Sequence, residues 1–278
     1  MKILLVGKNG QVGWDLARLL PAARATDRAE LDLASADAIR RVVRETKPEV
    51  ILNAAAYTAV DKAESESETA MRINGEAPGV LAEEAKRLGA LLVHYSTDYV
   101  YDGEKAGAYV ETDPPNPLSV YGRSKLAGER AIAASGCRHL IFRTCWVYAP
   151  RGKNFLLTIL KAARERPELK VVNDQFGAPT SSAAIAAATK RAIEKGGGEG
   201  IYHMSAVGRT SWHGFAEEIV RGAGLATPVK AIPTSDYPTP ARRPRNSILD
   251  NAKLKKELGI QLADWRDGLR EVLAQVPR

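Results

Sequence analysis

The sequence predicts an α/β fold, a doubly wound parallel sheet with a smaller C-terminal lobe. Three observations predict it. Short apolar runs alternate with helix-period segments up to residue 204. The first apolar run leads straight into a glycine turn. Residues 225–247 hold Pro228, Pro233, Pro238, Pro240 and Pro244, so the chain changes character there and no long helix fits.

Residues 2–6 have the composition of a buried parallel strand. Gly7, Gly10 and Gly13 follow, with Val12, Leu16, Leu19 and Leu20 at helical spacing. Residues 25–27 end a short second strand. Ser35 caps a helix carrying Ile39, Val42 and Val43, which stops before Pro48. A third strand spans 50–53. A helix runs over 76–88, with Gly89 just past its end. A fourth strand, 91–94, leads into Ser96, Thr97 and Asp98. A helix spans 119–134 and a strand 139–143. Segments 154–165, 182–195 and 211–221 read as helices, 201–204 as a strand, and 251–258 and 264–274 as short helices. No internal repeat is present. Residues 1–150, joined by 181–204, are expected to form a dinucleotide-binding part. Residues 151–180 and 205–278 are expected to form a discontinuous substrate-binding lobe over the carboxyl edge of the sheet.

The chain has 278 residues, 45% of them hydrophobic, enough for a full core. Its net charge is +7, but basic residues are spread along helices, as at Arg40, Arg41 and Arg44. Only Arg242, Arg243 and Arg245 are dense. Scattered charge is a solvated face, which argues against nucleic acid and for an anionic small molecule. Cys137 and Cys145 are too few for a disulfide framework and fit a reducing compartment. The first apolar run is too short for a signal peptide, and no stretch approaches the ~20 apolar residues of a spanning helix. A cytoplasmic protein with no membrane partner is expected.

Strand, glycine turn and helix together suit a dinucleotide pyrophosphate: the glycines allow close approach and the helix start offers N–H groups. Asp27, after the second strand, is placed for the adenosine ribose. Arg28 follows it and suits a 2′-phosphate, so NADH and NADPH both remain open. Tyr121 and Lys125 lie four apart on one helix face. An ammonium near the phenol is expected to lower its pKa from ~10 towards ~7, which takes roughly 4 kcal/mol. Coulomb attraction at ~4 Å and an effective dielectric of ~20 supplies about that much. With the Thr97 hydroxyl beside it, the trio can move a proton on or off an alcohol or ketone oxygen. His94 and His139 read as packed strand residues and Cys145 as a small apolar filler. Trp146 suits either a core or a ligand contact. Prolines stiffen the arginine cluster, which favours phosphate contacts.

Seven stretches resemble the extended short-chain dehydrogenase/reductase superfamily over nearly the whole chain: 7–14 (GKNGQVGW), 53–64 (NAAAYTAVDKAE), 94–100 (HYSTDYV), 121–129 (YGRSKLAGE), 142–148 (FRTCWVY), 173–180 (NDQFGAPT) and 237–247 (YPTPARRPRNS). The resemblance implies a Rossmann-type fold, an NADPH or NADH cofactor and a nucleotide-sugar substrate. Gly7, Gly10, Gln11, Val12 and Gly13 would lie along the pyrophosphate. Asp27 would sit near the ribose, and Asp32 and Leu33 near the adenine. Ala55, Ala56 and Tyr57 would line the dinucleotide groove. Tyr121 would be the proton donor, Lys125 its partner and a ribose ligand, and Thr97 the hydroxyl at the substrate oxygen. Asp98 and Trp146 would contact the sugar nucleotide, with Arg242 and Arg243 near its diphosphate.

The resemblance points to a reductase of a 4-keto-6-deoxy nucleotide sugar. A dehydratase needs an Asp-Glu pair after the threonine, and here Tyr99 follows Asp98. A non-catalytic relative tends to lose the tyrosine or the lysine, and both are present. Some family members carry a glutamate associated with Mg2+ at a dimer contact. Asp15 stands there instead, which argues against a metal, and no His/Cys/Asp/Glu cluster has metal spacing. A homodimer is the protein partner the resemblance suggests.

Overall fold

In the computed structural model, which describes residues 1–276, four consecutive buried apolar residues form β1 (Ile3–Val6). A strand buried on both faces needs a layer on each side. β1 pairs in parallel with β2 (Arg24–Thr26) and with β3 (Val50–Asn53). β4 (Leu91–Thr97), β5 (His139–Thr144) and the edge strand Gly200–His203 extend the sheet beyond β3. The six parallel strands run edge strand, β5, β4, β3, β1, β2. The order reverses between β1 and β3, so a crevice opens there at the carboxyl ends of the strands. The doubly wound sheet expected from the sequence is the fold observed.

α1 (Gln11–Leu19) crosses from β1 to β2. α2 (Ala36–Thr46) leads to β3, and its cap Ser35 accepts a hydrogen bond from the Ala38 N–H at 3.2 Å. Between β3 and β4 lie α3 (Val60–Ala63), α4 (Ser67–Met71), a π turn over Arg72–Glu76 and α5 (Ala77–Leu88). The sequence pattern places this helix only from residue 76, but helical structure starts at Ser67. Asn74 explains the irregular turn. Its side chain points inward, accepts from the Tyr57 N–H (2.8 Å) and donates to the Tyr57 carbonyl (2.9 Å) and Ser124 Oγ (3.0 Å). α6 (Val120–Ser135) precedes β5. After β5 come α7 (Phe155–Glu165), α8 (Ser182–Lys195), α9 (Trp212–Gly222), α10 (Ala252–Leu258) and α11 (Trp265–Leu273).

Alternation along β1 feeds two cores. Ile3 and Leu5 meet Leu16, Phe142, Ile185 and Tyr202 on one face. Leu4 and Val6 meet Ile39, Val43, Leu81 and Ile132 on the other. Leu254, Leu258, Ile260 and Leu262, beyond the segment expected for the dinucleotide-binding part, complete the first of these. A third cluster joins Leu156, Leu160, Phe215, Ile219, Trp265 and Leu269. Beside it, Leu169–Val172 pairs in parallel with Val229–Ile232. Those two strands left no trace in the sequence pattern, because the second has two exposed residues at its centre and no buried one, and so shows no buried–exposed alternation. Among the described residues no helix is long and apolar enough to cross a membrane.

One buried ion pair ties α6 to β5. Arg143 donates to both Glu129 oxygens (2.9 and 2.5 Å) and to the Tyr101 hydroxyl (2.6 Å). Both charged side chains are 2% exposed. Removing one partner leaves a buried charge without its counter-ion. Arg143→Met should therefore cost about 3–5 kcal/mol in urea unfolding, and Arg143→Met with Glu129→Met should recover most of the loss. Equal losses in the single and double variants would contradict this account.

Candidate active site

A cavity of ≈ 810 Å3 runs along the carboxyl ends of β1, β3, β4 and β5. Gly7, Gly10, Gln11 and Val12 line one stretch of it, beside Asp27, Asp32 and Leu33. Ala55, Ala56 and Tyr57 line the middle, and Thr97, Asp98, Tyr121, Lys125 and Trp146 the remainder. Gly13 does not reach it. A Cβ on Gly13 would lie 2.0 Å from the Gly7 carbonyl oxygen, so this glycine serves the packing of α1 against the turn. Gly10 differs. A Cβ there would meet Gly7 and Ala54 oxygens at 3.4 and 3.7 Å, ordinary contact distances. The fold itself tolerates a side chain at Gly10, and only a guest in the groove would exclude one.

At that end Asp27 accepts from the Ala29 and Glu30 N–H groups (3.0 and 3.3 Å) and lies 3.5 Å from Lys8 Nζ. Partial desolvation pushes its carboxyl up. The two N–H groups and Lys8 outweigh this and hold it below the usual carboxylate range. Arg28 is exposed, with only a 3.8 Å approach to Asp32. Asn154 donates to Gln11 Oε1 at 3.0 Å, so the start of α7 braces the glycine turn.

The other end is built where β4 stops. Thr97 Oγ1 accepts from the Tyr99 N–H and donates to Asp98 Oδ1, both at 3.2 Å. Asp98 is 2% exposed, and its Oδ2 is a buried oxygen with no hydrogen-bond partner. Burial pushes its carboxyl up to about 7, against the Ser247 and Thr97 hydroxyls. Tyr121 stands in the first turn of α6. That turn is held by Ser119 Oγ, which accepts from the Gly122 N–H (3.1 Å), and by Glu64, which accepts from the Val120 N–H (2.8 Å). The Tyr121 ring meets Tyr99 edge to face, with centroids 5.6 Å apart.

The ammonium–phenol pairing expected from the sequence is not what the structure shows. Desolvation pushes the Tyr121 phenol up to about 12; the Asp98 charge adds to this and the Thr97 hydroxyl opposes it. Lys125 Nζ donates to the Tyr95 carbonyl at 2.6 Å and sits 3.2 Å from His94 Nε2. Burial pulls its amine down to about 8, with the Glu129 charge opposing. The four-residue spacing does put both side chains on one face and in one cavity. The lysine stem, however, continues inward to β4, where a carbonyl competes for the ammonium. His94, expected as a packed residue, is packed, but it also forms one wall around that ammonium.

Trp146 has a left-handed backbone (φ 47°), a strained setting for a bulky residue. Its indole stacks on Trp212, with centroids 3.5 Å apart and planes 10° apart. Gly177 leaves room for it, since a Cβ there would lie 2.5 Å from the ring. Trp212, Tyr95, Tyr99 and Asn154 also line the cavity, and sequence reasoning missed them. The structure does not bring Arg242 or Arg243 into the cavity lining. Arg242 is exposed, and Arg243 is held by Asp61 of α3 at 3.0 and 2.8 Å. Cys145 is fully buried and accepts from the Ala178 N–H. Asp15 accepts from Ser182 Oγ at 2.5 Å, tying α1 to α8. Among the described residues no group of three or more His, Cys, Asp or Glu is placed to hold a metal.

The open glycine turn, with a carboxylate past β2 and a groove of dinucleotide size, fits a nicotinamide dinucleotide. It runs into a pocket equipped to move a single proton, the arrangement that marks a dinucleotide-dependent oxidoreductase. The chain belongs to the RmlD substrate binding domain family, whose model matches residues 1–278. It is 51% identical to a Burkholderia thailandensis protein named dTDP-4-dehydrorhamnose reductase, over 99% of this chain and 100% of that one. It is 44% identical to an Escherichia coli protein of the same name, over 99% of this chain and 98% of the other. Among solved structures, a Bacillus anthracis dTDP-4-dehydrorhamnose reductase in complex with NADP is 34% identical, with a TM-score of 0.95 over 99% of this chain and 100% of that one.

The two glycines give a contrast. Gly10→Ala should raise the dissociation constant for the reduced cofactor about tenfold or more with the unfolding midpoint unchanged. Gly13→Ala should lower the midpoint. Equal losses of stability would show that both positions serve packing. Asp98 gives a pH signature. Its folded pKa lies above the unfolded value, so the wild type loses stability as pH rises from about 4 to about 7 and levels off beyond. Asp98→Asn removes that titration. From about pH 4 to about pH 8 its stability should gain on the wild type by roughly 2–4 kcal/mol in urea unfolding. A difference that stays flat with pH would show that Asp98 titrates normally.

Proposed function

We propose that this chain reduces the C4 ketone of dTDP-4-dehydro-L-rhamnose to dTDP-L-rhamnose with NADPH or NADH. The observation that carries the reading is one continuous groove, from the glycine turn to Thr97, Tyr121 and Lys125, in a chain that matches reductases of that name end to end. When bound, the reduced nicotinamide supplies a hydride to the carbonyl carbon.

Tyr121 is the acid. A phenol held up at about 12 stays protonated at every working pH. It is still a far stronger acid than a sugar alcohol, so it can give its proton to the alkoxide as that charge grows. Reduction therefore does not require the lowered phenol that the sequence suggested. Thr97 turns its one hydroxyl hydrogen from Asp98 Oδ1 to the same oxygen when the sugar binds. Lys125 is the adjacent amine that restores the proton and holds the ribose. Asp98, neutral up to about pH 7, offers an O–H to a sugar hydroxyl and gains the partner its Oδ2 lacks. The face of Trp146, fixed by Trp212, suits the sugar ring. Arg242, exposed and without an ion-pair partner among the described residues, is the cation we assign to the diphosphate, with Arg243 steadied by Asp61 behind it.

Residues 1–150 with 181–204, joined by the core-packed segment 254–262, serve as the dinucleotide-binding part and the remainder as the lobe that receives the nucleotide sugar. A cytoplasmic setting accords with two buried free thiols. A homodimer completes the reading.

The test is cofactor oxidation with 4-keto nucleotide sugars, using NADPH and NADH in parallel. The wild type should oxidise one or both with dTDP-4-dehydro-L-rhamnose, and Tyr121→Phe should lower turnover by ~10² or more while cofactor affinity stays within about twofold. Near-wild-type turnover in Tyr121→Phe would remove the tyrosine from the chemistry. No oxidation by the wild type with this sugar would end the reading.

A further inference from the structure

Lys125 is not alone in its pocket. His94 is fully buried, with Nε2 3.2 Å from Lys125 Nζ and Nδ1 3.1 Å from Asn53 Nδ2. Asn53 Oδ1 faces the other way, towards the Ala55 N–H at 3.4 Å. That orientation directs an amide N–H at His94 Nδ1, which must then accept. A neutral imidazole accepting at Nδ1 carries its hydrogen on Nε2. His94 is neutral here, since burial first and the Lys125 charge second hold it well below its ordinary value. The hydrogen on Nε2 therefore points at the lysine nitrogen. An ammonium has no lone pair to receive it, whereas a neutral amine does.

We infer that the Asn53–His94 pair selects the imidazole tautomer facing Lys125, and so presents the lysine nitrogen with a hydrogen-bond donor that favours its uncharged form. Asn53 and His94 are positioning residues: neither lines the cavity, and both act through Lys125. The pair balances the Tyr95 carbonyl, which favours the ammonium. The amine that the proposed reaction uses to restore the Tyr121 proton is thus held between its two states. The inference rests on that reading for its purpose but not for its geometry.

Burial lowers the amine by itself, and the other groups near Lys125 do not add to it. On its own helix Glu129 favours the charged form and is bound to Arg143 of β5, while Tyr121 is neutral. On β4 the Tyr95 hydroxyl turns away to Thr189 Oγ1 at 2.8 Å. Past β4 lie Asp98 and Tyr99. Glu64, just past α3, is bonded to the Val120 N–H, the π turn presents the amide of Asn74, and α5 meets α6 through apolar side chains.

The test is a direct titration of Lys125 in the full-length protein by NMR of 13C-labelled lysine ε-carbons, with the resonance assigned by its loss in Lys125→Arg. In the wild type it should titrate near 8. In His94→Gln an amide oxygen can turn to the ammonium, and in Asn53→Leu the tautomer is released. Both variants should titrate at least about one pH unit higher, a tenfold change in the proton equilibrium. The alkaline limb of kcat/KM should move the same way. Wild-type and variant midpoints within about 0.3 unit of each other would overturn the inference, as would a wild-type midpoint at the ordinary lysine value. Two variants guard against one failing to fold. Full turnover by Lys125→Met would instead end the catalytic role of Lys125 and leave the titration result standing.

Discussion

The burial of the Lys125 ammonium is the constraint around which the pocket is organised. A charge removed from water needs close polar partners, or it costs several kcal/mol. The Tyr95 carbonyl supplies one at 2.6 Å. For that carbonyl to be available, β4 must run on past the sheet's centre to Thr97, three residues beyond the end expected from its apolar run. α6 must also lie close against it, which the Asn74–Ser124 contact and the Arg143–Glu129 pair secure. Thr97, Asp98 and Tyr121 are then set beside one another as a consequence.

Exclusion of water acts on every ionisable group there in the same sense. It lifts Tyr121 and Asp98, lowers Lys125, and keeps His94 uncharged. A pocket that discourages charge in its own side chains is one where an incoming negative oxygen meets several intact donors. Those donors, fixed in place, stabilise the charge without rearrangement. This suits reduction, where the acid must arrive with its proton.

Much of this was legible in the sequence because it depends on short-range rules. Gly7, Gly10 and Gly13 after an apolar run announced the turn, and Ser35 and Gly89 marked helix ends through local hydrogen bonding and backbone freedom. The helical spacing of Tyr121 and Lys125 correctly gave a shared face. It could not reveal the Tyr95 carbonyl, which is 30 residues away in sequence and carries no side-chain signature. Trp212 was hidden for the same reason: it reaches Trp146 only through the packing of α9, and nothing in the local pattern separates it from an ordinary core aromatic. Arg243 read as a free phosphate ligand because its partner Asp61 lies 182 residues earlier.

The four-residue helix α3 has an effect out of proportion to its size. Just past its end, Glu64 fastens the first turn of the helix that carries Tyr121, and within it Asp61 grips the proline-stiffened loop through Arg243. Lobe and acid therefore hang from a common bracket. A nucleotide sugar drawing that loop inward would tug on the same few residues that aim the phenol, so arrival of the substrate's distant end and alignment of its reacting end become one mechanical event.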